Sequence, residues 1–137
     1  LALDNESGQQ QETQAFASLQ EFEDATGLSA FALDASIYRC EAVDTFTVDG
    51  ETQLNVVYSC EYGDVYTTQI WNMSAELSAL TNDMYKQYTT SLGRTIYYGV
   101  DKLDGSICGL TVMEDSVLFV FASKTVPIEM VLMELDF

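Results

Sequence analysis

The stretch that most limits the fold is "YRCEAVDTFTVDGETQLNVVYSCEY", residues 38–62, where polarity alternates on both sides of a turn signal. Before the turn, Tyr38, Cys40, Ala42, Phe46 and Val48 are apolar and even-numbered, while Arg39, Glu41, Thr45 and Thr47 are polar and odd. Ile37 and Val43 break the pattern. After Asp49-Gly50 the apolar residues Leu54, Val56, Tyr58, Cys60 and Tyr62 are again even. A period of two is that of a half-buried strand, and Asp-Gly between two such runs marks a hairpin. Parity then predicts the register. A two-residue loop would set Phe46 against Gln53, whereas a three-residue loop, Asp49-Gly50-Glu51, sets Phe46 against Leu54 and Cys40 directly against Cys60. A slip of one residue sends one strand's apolar side to water. The three-residue loop is therefore the expectation, with both cysteines facing inward.

Other segments fill in an α+β plan. Residues 1–11 are polar and aperiodic and read as a flexible lead-in or tether, with a single domain over 12–137. Ala15, Phe16, Leu19 and Phe22 fall at helical spacing ahead of Gly27, predicting a helix over 12–26. A third strand, Val65 to Trp71, follows the Gly63-Asp64 turn. Met73, Leu77, Leu80, Met84 and Tyr88 recur every three or four residues behind Ser74, predicting a second helix over 75–90. Strand patterns return in "RTIYYGV", "SICGLTVM" and "VLFVFAS", with turns at Asp104-Gly105 and Glu114-Asp115. "TVPIEMVLMEL" reads as a closing helix with Pro127 in its first turn. The expected fold is thus an antiparallel sheet of two three-stranded meanders, with N-terminal, middle and C-terminal helices packed on it.

Charge excludes some functions. Twenty-two acids against five bases give a net charge of −17, which repels phosphate backbones and anionic lipid. Nucleic-acid binding is excluded as a main role. A basic partner would fit such a surface, but the acids are spread along the whole chain, which favours a role in solubility. The longest apolar run, Val117 to Ala122, is far too short to span a bilayer. The chain opens on Leu1, so a processed product with any targeting segment upstream is expected, and membrane contact only through such a tether.

The candidate chemistry is sparse. Without histidine, Ser-His and Cys-His nucleophiles are excluded. Cys40 and Cys60 suit a disulfide in an oxidising compartment or inert thiols in a reducing one. Lacking histidine and any Cys-x-x-Cys, they are poor metal or redox residues even with Cys108. Glu41 and Glu61 flank the cysteines on the outward face, where carboxylates are ordinarily solvated. Asn5-Glu6-Ser7 and Asn72-Met73-Ser74 match the glycosylation triplet. No cofactor or metal site is expected. Tyr58, Tyr62 and Tyr66 are candidate ligand-facing aromatics, since tyrosine buries area while keeping a polar tip, although it is also common in strands.

Three stretches, "FEDATGLSAFALDASIYRCEAV", "LNVVYSCEYGDVYTTQIW" and "GLTVMEDSVLFVFASKTVPIEMVLMEL", resemble uncharacterised extracytoplasmic domains of Gram-positive bacteria. Such domains occur in lipoproteins and in the outer portions of membrane-anchored anti-sigma factors. The resemblance implies a surface-exposed, tethered, non-catalytic module, and it carries no functional residues. The function expected is therefore binding of a protein or small ligand outside the cytoplasm. The alternatives are a cytosolic acidic inhibitor of a basic protein, as immunity proteins are, and, last, a carboxylate-dependent hydrolase.

Overall fold

The computed structural model describes residues 11–48, 50–71, 86–100, 103–113 and 117–135. In chain order the elements are β1 (Gln11–Phe16), α1 (Leu19–Thr26), β2 (Arg39–Val48), β3 (Glu51–Cys60), β4 (Gly63–Trp71), β5 (Lys86–Thr89), β6 (Thr95–Val100), β7 (Ile107–Val112), β8 (Leu118–Ser123) and α2 (Ile128–Glu134). All eight strands join one antiparallel sheet in the order β1-β2-β3-β4-β8-β7-β6-β5. The two runs of strands that the sequence suggested are present, each with four strands rather than three, and they meet at β4 and β8, a junction the sequence left open. Both additions lie where a helix was expected.

The first is β1. Ser18-Leu19-Gln20-Glu21 is a capping box: the Ser18 hydroxyl accepts the Glu21 N–H at 3.2 Å, and the Glu21 carboxylate accepts the Ala17 N–H. The helix therefore starts at Leu19 and ends at Gly27, whose φ of 75° closes it. Residues 11–16 instead pair with β2, from Gln11↔Val48 to Phe16↔Val43, which satisfies backbone groups that an edge strand would leave open. The second is β5, where residues 86–89 extend along β6 instead of ending the predicted middle helix. The rest of that helix, like both glycosylation triplets, the Glu114-Asp115 turn and most of the lead-in, lies outside the described residues. The closing helix is present as α2.

The hairpin register also departs from parity. Val48 pairs with Glu51 and Phe46 with Gln53, so the loop has two residues. The register shifts between Cys40 and Ala42, a bulge around Glu41. Val43 and Thr45 thus face inward, against the even-number rule, while Tyr38 returns to the core beyond the bulge. Loop and bulge together displace the cysteine end by two residues, and Cys40 faces Tyr58 rather than Cys60.

One face of the sheet carries the core: Leu54, Val56, Tyr58, Val65, Trp71, Ile96, Phe119 and Phe121. It is closed over by Phe22 of α1, Leu33, Val126, and Val131 and Leu135 at α2. Burying about 1.5–3 kcal/mol of transfer free energy per large side chain is what holds these layers together. Polar residues on this face are paired. The hydroxyls of Thr67, Thr111 and Thr45 donate to carbonyls of Val56, Thr95 and Gln14 on neighbouring strands, and Ser123 donates to Asp64. The exception among the described residues is Tyr38, whose buried hydroxyl finds no partner among them. Gly109 on β7 faces Phe121, whose ring lies where a side chain would stand: a Cβ there would be 2.5 Å from Phe121 Cζ and 2.8 Å from the Tyr97 carbonyl.

Candidate functional site

Between α1 and β2 the chain runs from residue 27 to 38 with little regular structure, so its backbone donors need other partners. Side chains supply them. Ala30 N–H donates to Glu23 Oε2 at 2.8 Å, Phe31 N–H to Gln69 Oε1 at 2.8 Å, Leu33 N–H to the Tyr58 hydroxyl at 3.4 Å, and Asp34 N–H to Glu134 Oε1 at 2.7 Å. The four acceptors stand on α1, β4, β3 and α2, so the loop is fastened to every layer around it.

Gln69 is the central fastening. It is 2% exposed, and its amide donates from Nε2 to the Phe31 carbonyl at 2.8 Å while accepting the Phe31 N–H. The side-chain amide thus pairs with one residue of the loop as a neighbouring strand would. Phe31 is thereby held edge-on to Phe119, ring centroids 5.3 Å apart. Phe22 packs against Trp71 at 5.6 Å and edge-on to Phe16 at 5.9 Å.

This arrangement leaves a cavity of about 450 Å³, bounded chiefly by Leu28, Phe31, Trp71, Arg94, Met113 and Val117, with Gln69 in its wall. Its size and apolar lining are those of small-molecule sites. Among the described residues that line it, Arg94 is the charged one. Nη1 donates to the Leu135 carbonyl at 3.0 Å, at the end of α2, and the Arg94 backbone is tied to Thr90 in both directions. The guanidinium is therefore placed by the fold. Ser29 supplies a hydroxyl but no base stands beside it among the lining residues.

The tyrosines expected to face a ligand do not share a surface. Tyr58 is 3% exposed in the core, and burial pushes its hydroxyl up to about 12 despite the Leu33 N–H that opposes the shift. Tyr66 pairs with Val57, which puts it on the opposite face of the sheet, where it borders a second groove with Asp64 and Lys124. Tyr62 lies in the exposed β3–β4 turn. Sequence reasoning passed over Phe31, Trp71 and Arg94. The signal for Trp71 was present, since Val65, Thr67, Gln69 and Trp71 alternate along one strand.

Cys40 and Cys60 are free thiols, not joined to each other. The direct opposition expected of Cys40 and Cys60 is corrected by the bulge: they occupy the same face on a diagonal. Partial desolvation pushes the Cys40 thiol above its ordinary value, and the Glu41 charge adds to it. Glu41 accepts the Ser59 hydroxyl on the exposed side of the sheet. Among the described residues no group of three metal-ligating side chains gathers, and no helix is long and apolar enough to cross a membrane. Compared with protein-family models, with curated proteins and with solved structures, the chain matches none.

Proposed function

We propose that this protein is a non-catalytic binding module displayed outside the cytoplasm, and that its ligand seats in the cavity between the 27–31 loop and the β4 end of the sheet. The cavity itself carries the reading. An apolar hollow of about 450 Å³ is retained under a loop whose donors are individually matched to side chains, so the space is kept open by a rigid frame. Pre-formed, mostly apolar clefts with a few fixed polar groups suit reversible binding. Among the described residues the lining holds no carboxylate, lysine or cysteine for acid, base or nucleophilic chemistry, which supports binding over turnover.

Trp71 is the chain's one tryptophan, so the single indole N–H resonance reports on the cavity wall. In a screen of small apolar molecules against the whole chain, ligands are expected to move that resonance. Ser29→Phe, at the exposed lip, is expected to block them. Ligands that bind without moving the resonance, or that ignore Ser29→Phe, would sink the reading. The extracytoplasmic placement draws on the resemblance of three stretches of the chain to tethered surface domains. Expressed with its native upstream sequence, the protein is expected in the membrane fraction and within reach of protease added to intact cells. Recovery from the soluble cytoplasm would overturn that placement.

A further inference from the structure

We infer that the second face of the sheet is an internal interface, covered by the chain between β4 and β5 as an amphipathic helix that seats Leu77 and Leu80 on Leu110 and Leu118. Pairing puts Leu110 between Tyr97 and Val120, and Leu118 between Ile70 and Val112. The paired residues Thr111 and Phe119 next to them face the core, so both leucines point the other way. They are nevertheless only 6% and 3% exposed, while Tyr66 and Val112 on the same face are 53% and 42% exposed. Shielding this deep within a single chain comes from the chain itself, and it is local to the middle of β7 and β8. The helices α1 and α2 and the 27–38 loop send Phe22, Val131, Leu135 and Leu33 into the opposite face.

Topology names the occupant. β4 and β5 are parallel and four strands apart, so residues 72–85 form a crossover, and such connections are usually helical. The hand of the crossover follows from chirality. In a strand drawn upward, an L-residue whose side chain points at the viewer turns its N–H and C=O to the right. The Met113 N–H donates to the Val117 carbonyl at 2.7 Å, so by alternation Thr111 and Phe119 also exchange hydrogen bonds. Seen from the core face with β7 upward, β8 and then β4 lie to its right, and β5 lies to its left. The bond from the Thr90 N–H to the Arg94 carbonyl at 2.8 Å gives β5 and β6 the same sense. A crossover over the core face would therefore be left-handed. Over the second face it is right-handed, the hand of about 98% of such connections. Four strand spacings are about 19 Å, and a helix over 72–85 spans about 21 Å. Met73, Leu77, Leu80 and Met84 supply one apolar stripe at helical spacing, which the polar 1–10 stretch does not.

The test is a methyl NOESY spectrum of the whole protein with labelled leucine and valine methyls. Leu77 and Leu80 are expected to show cross-peaks to Leu110 and Leu118. Cross-peaks to Val131 or Leu135 would place the crossover on the core face and overturn the assignment. Cross-peaks from Leu110 to Leu1 or Leu3, or none to the 72–85 segment, would overturn the occupant. A second measurement asks whether removing the cover bares the face. Leu77→Asp combined with Leu80→Asp is expected to lower the urea midpoint and raise the emission of a bound hydrophobic dye several-fold. Leu80→Ala is expected to shift both the same way by less, which keeps the test readable where the double variant does not fold. Leu103→Asp, at a residue that is 97% exposed, is expected to change neither. Leucine variants that melt and bind dye as the parent does would overturn the inference.

Discussion

Replacing Gln69 with leucine tests the fastening of the loop most directly. Leucine has nearly the volume of glutamine and suits a site that is 2% exposed, so packing is largely kept while both 2.8 Å bonds to Phe31 are lost. A net contribution of about 1 kcal/mol per hydrogen bond gives a loss of about 2 kcal/mol. Phe31 is only half-buried, so its released N–H and C=O regain some water, which keeps the loss from growing to that of two orphaned groups. For a chain of 137 residues the unfolding entropy is about 0.29 kcal/mol/K, so Tm should fall by about 7 °C. Calorimetry measures that fall. Hydrogen exchange at the Phe31 amide, which should lose protection ahead of the strands, assigns it to the loop. Gln69→Glu should be worse than leucine, because it sets a carboxylate oxygen against the Phe31 carbonyl in a buried site. The reasoning is refuted if Gln69→Leu melts within about 1 °C of the parent and the Phe31 amide stays protected.

Further predictions concern the core and the register. Tyr38→Phe removes a buried hydroxyl that has no partner among the described residues and should raise stability by about 1 kcal/mol, whereas Tyr58→Phe, which loses the Leu33 bond, should not; equal effects in denaturant melts would contradict this. Gly109→Ala should lower the denaturation midpoint by about 1–3 kcal/mol of stability with an unchanged slope, because the Tyr97 carbonyl cannot retreat from a Cβ. Burial raises the hydroxyls of Tyr38 and Tyr58 to about 12. The unfolded chain therefore releases these protons first, so stability should hold below about pH 10 and fall as pH rises toward 12; a flat alkaline profile would refute it. Finally, mapping of thiols in a glutathione buffer should find Cys40 and Cys60 unjoined, since diagonal neighbours stand farther apart than a disulfide allows. A Cys40–Cys60 bond would require the strands to slip by two residues.

The sheet was legible wherever alternation ran unbroken. The strand from Val65 to Trp71 stands where the sequence puts one, but period two leaves open which alternate set faces inward, since Tyr66 and Ile70 compete with Val65 and Trp71. Two features escaped. Parity has no means of registering an inserted residue, so the bulge at Glu41 turned Val43 and Thr45 inward and carried the cysteines off register. Ala15 and Phe16 sit at helical spacing from Leu19, but the capping box at Ser18 and Glu21 outweighs that spacing and frees residues 11–16 to cover the edge of β2. The cavity was less legible still. Phe31 and Gln69 are 38 positions apart, and a glutamine in a strand reads as a solvated residue until its backbone partner is known. Tyr58 and Tyr66 share a parity yet face opposite sides, because the turn between β3 and β4 changes which residues stand opposite each other.

The meeting of β4 with β8 bears on the order in which the chain assembles. Within β2-β3-β4 and within β5-β6-β7-β8, successive strands close over turns of a few residues, so these pairings form from near neighbours at small entropic cost, whereas β1 reaches β2 only beyond α1 and the loop that follows it. From Tyr66↔Ala122 to Ile70↔Leu118, the central ladder instead joins positions roughly 50 residues apart, whose encounter is slow. Folding should therefore proceed as two hairpin-built halves, β2-β3-β4 and β5-β6-β7-β8, that zip together at the middle of the sheet. Substitutions in the early-forming hairpins, such as β3 or β7, should slow folding, while changes at Thr68 or Val120, which pair across that late junction, should chiefly hasten unfolding. The last backbone pairing to form would then lie at the centre of the molecule, beside the β4 strand that carries Gln69 and Trp71, so the cavity would take shape only as folding is completed.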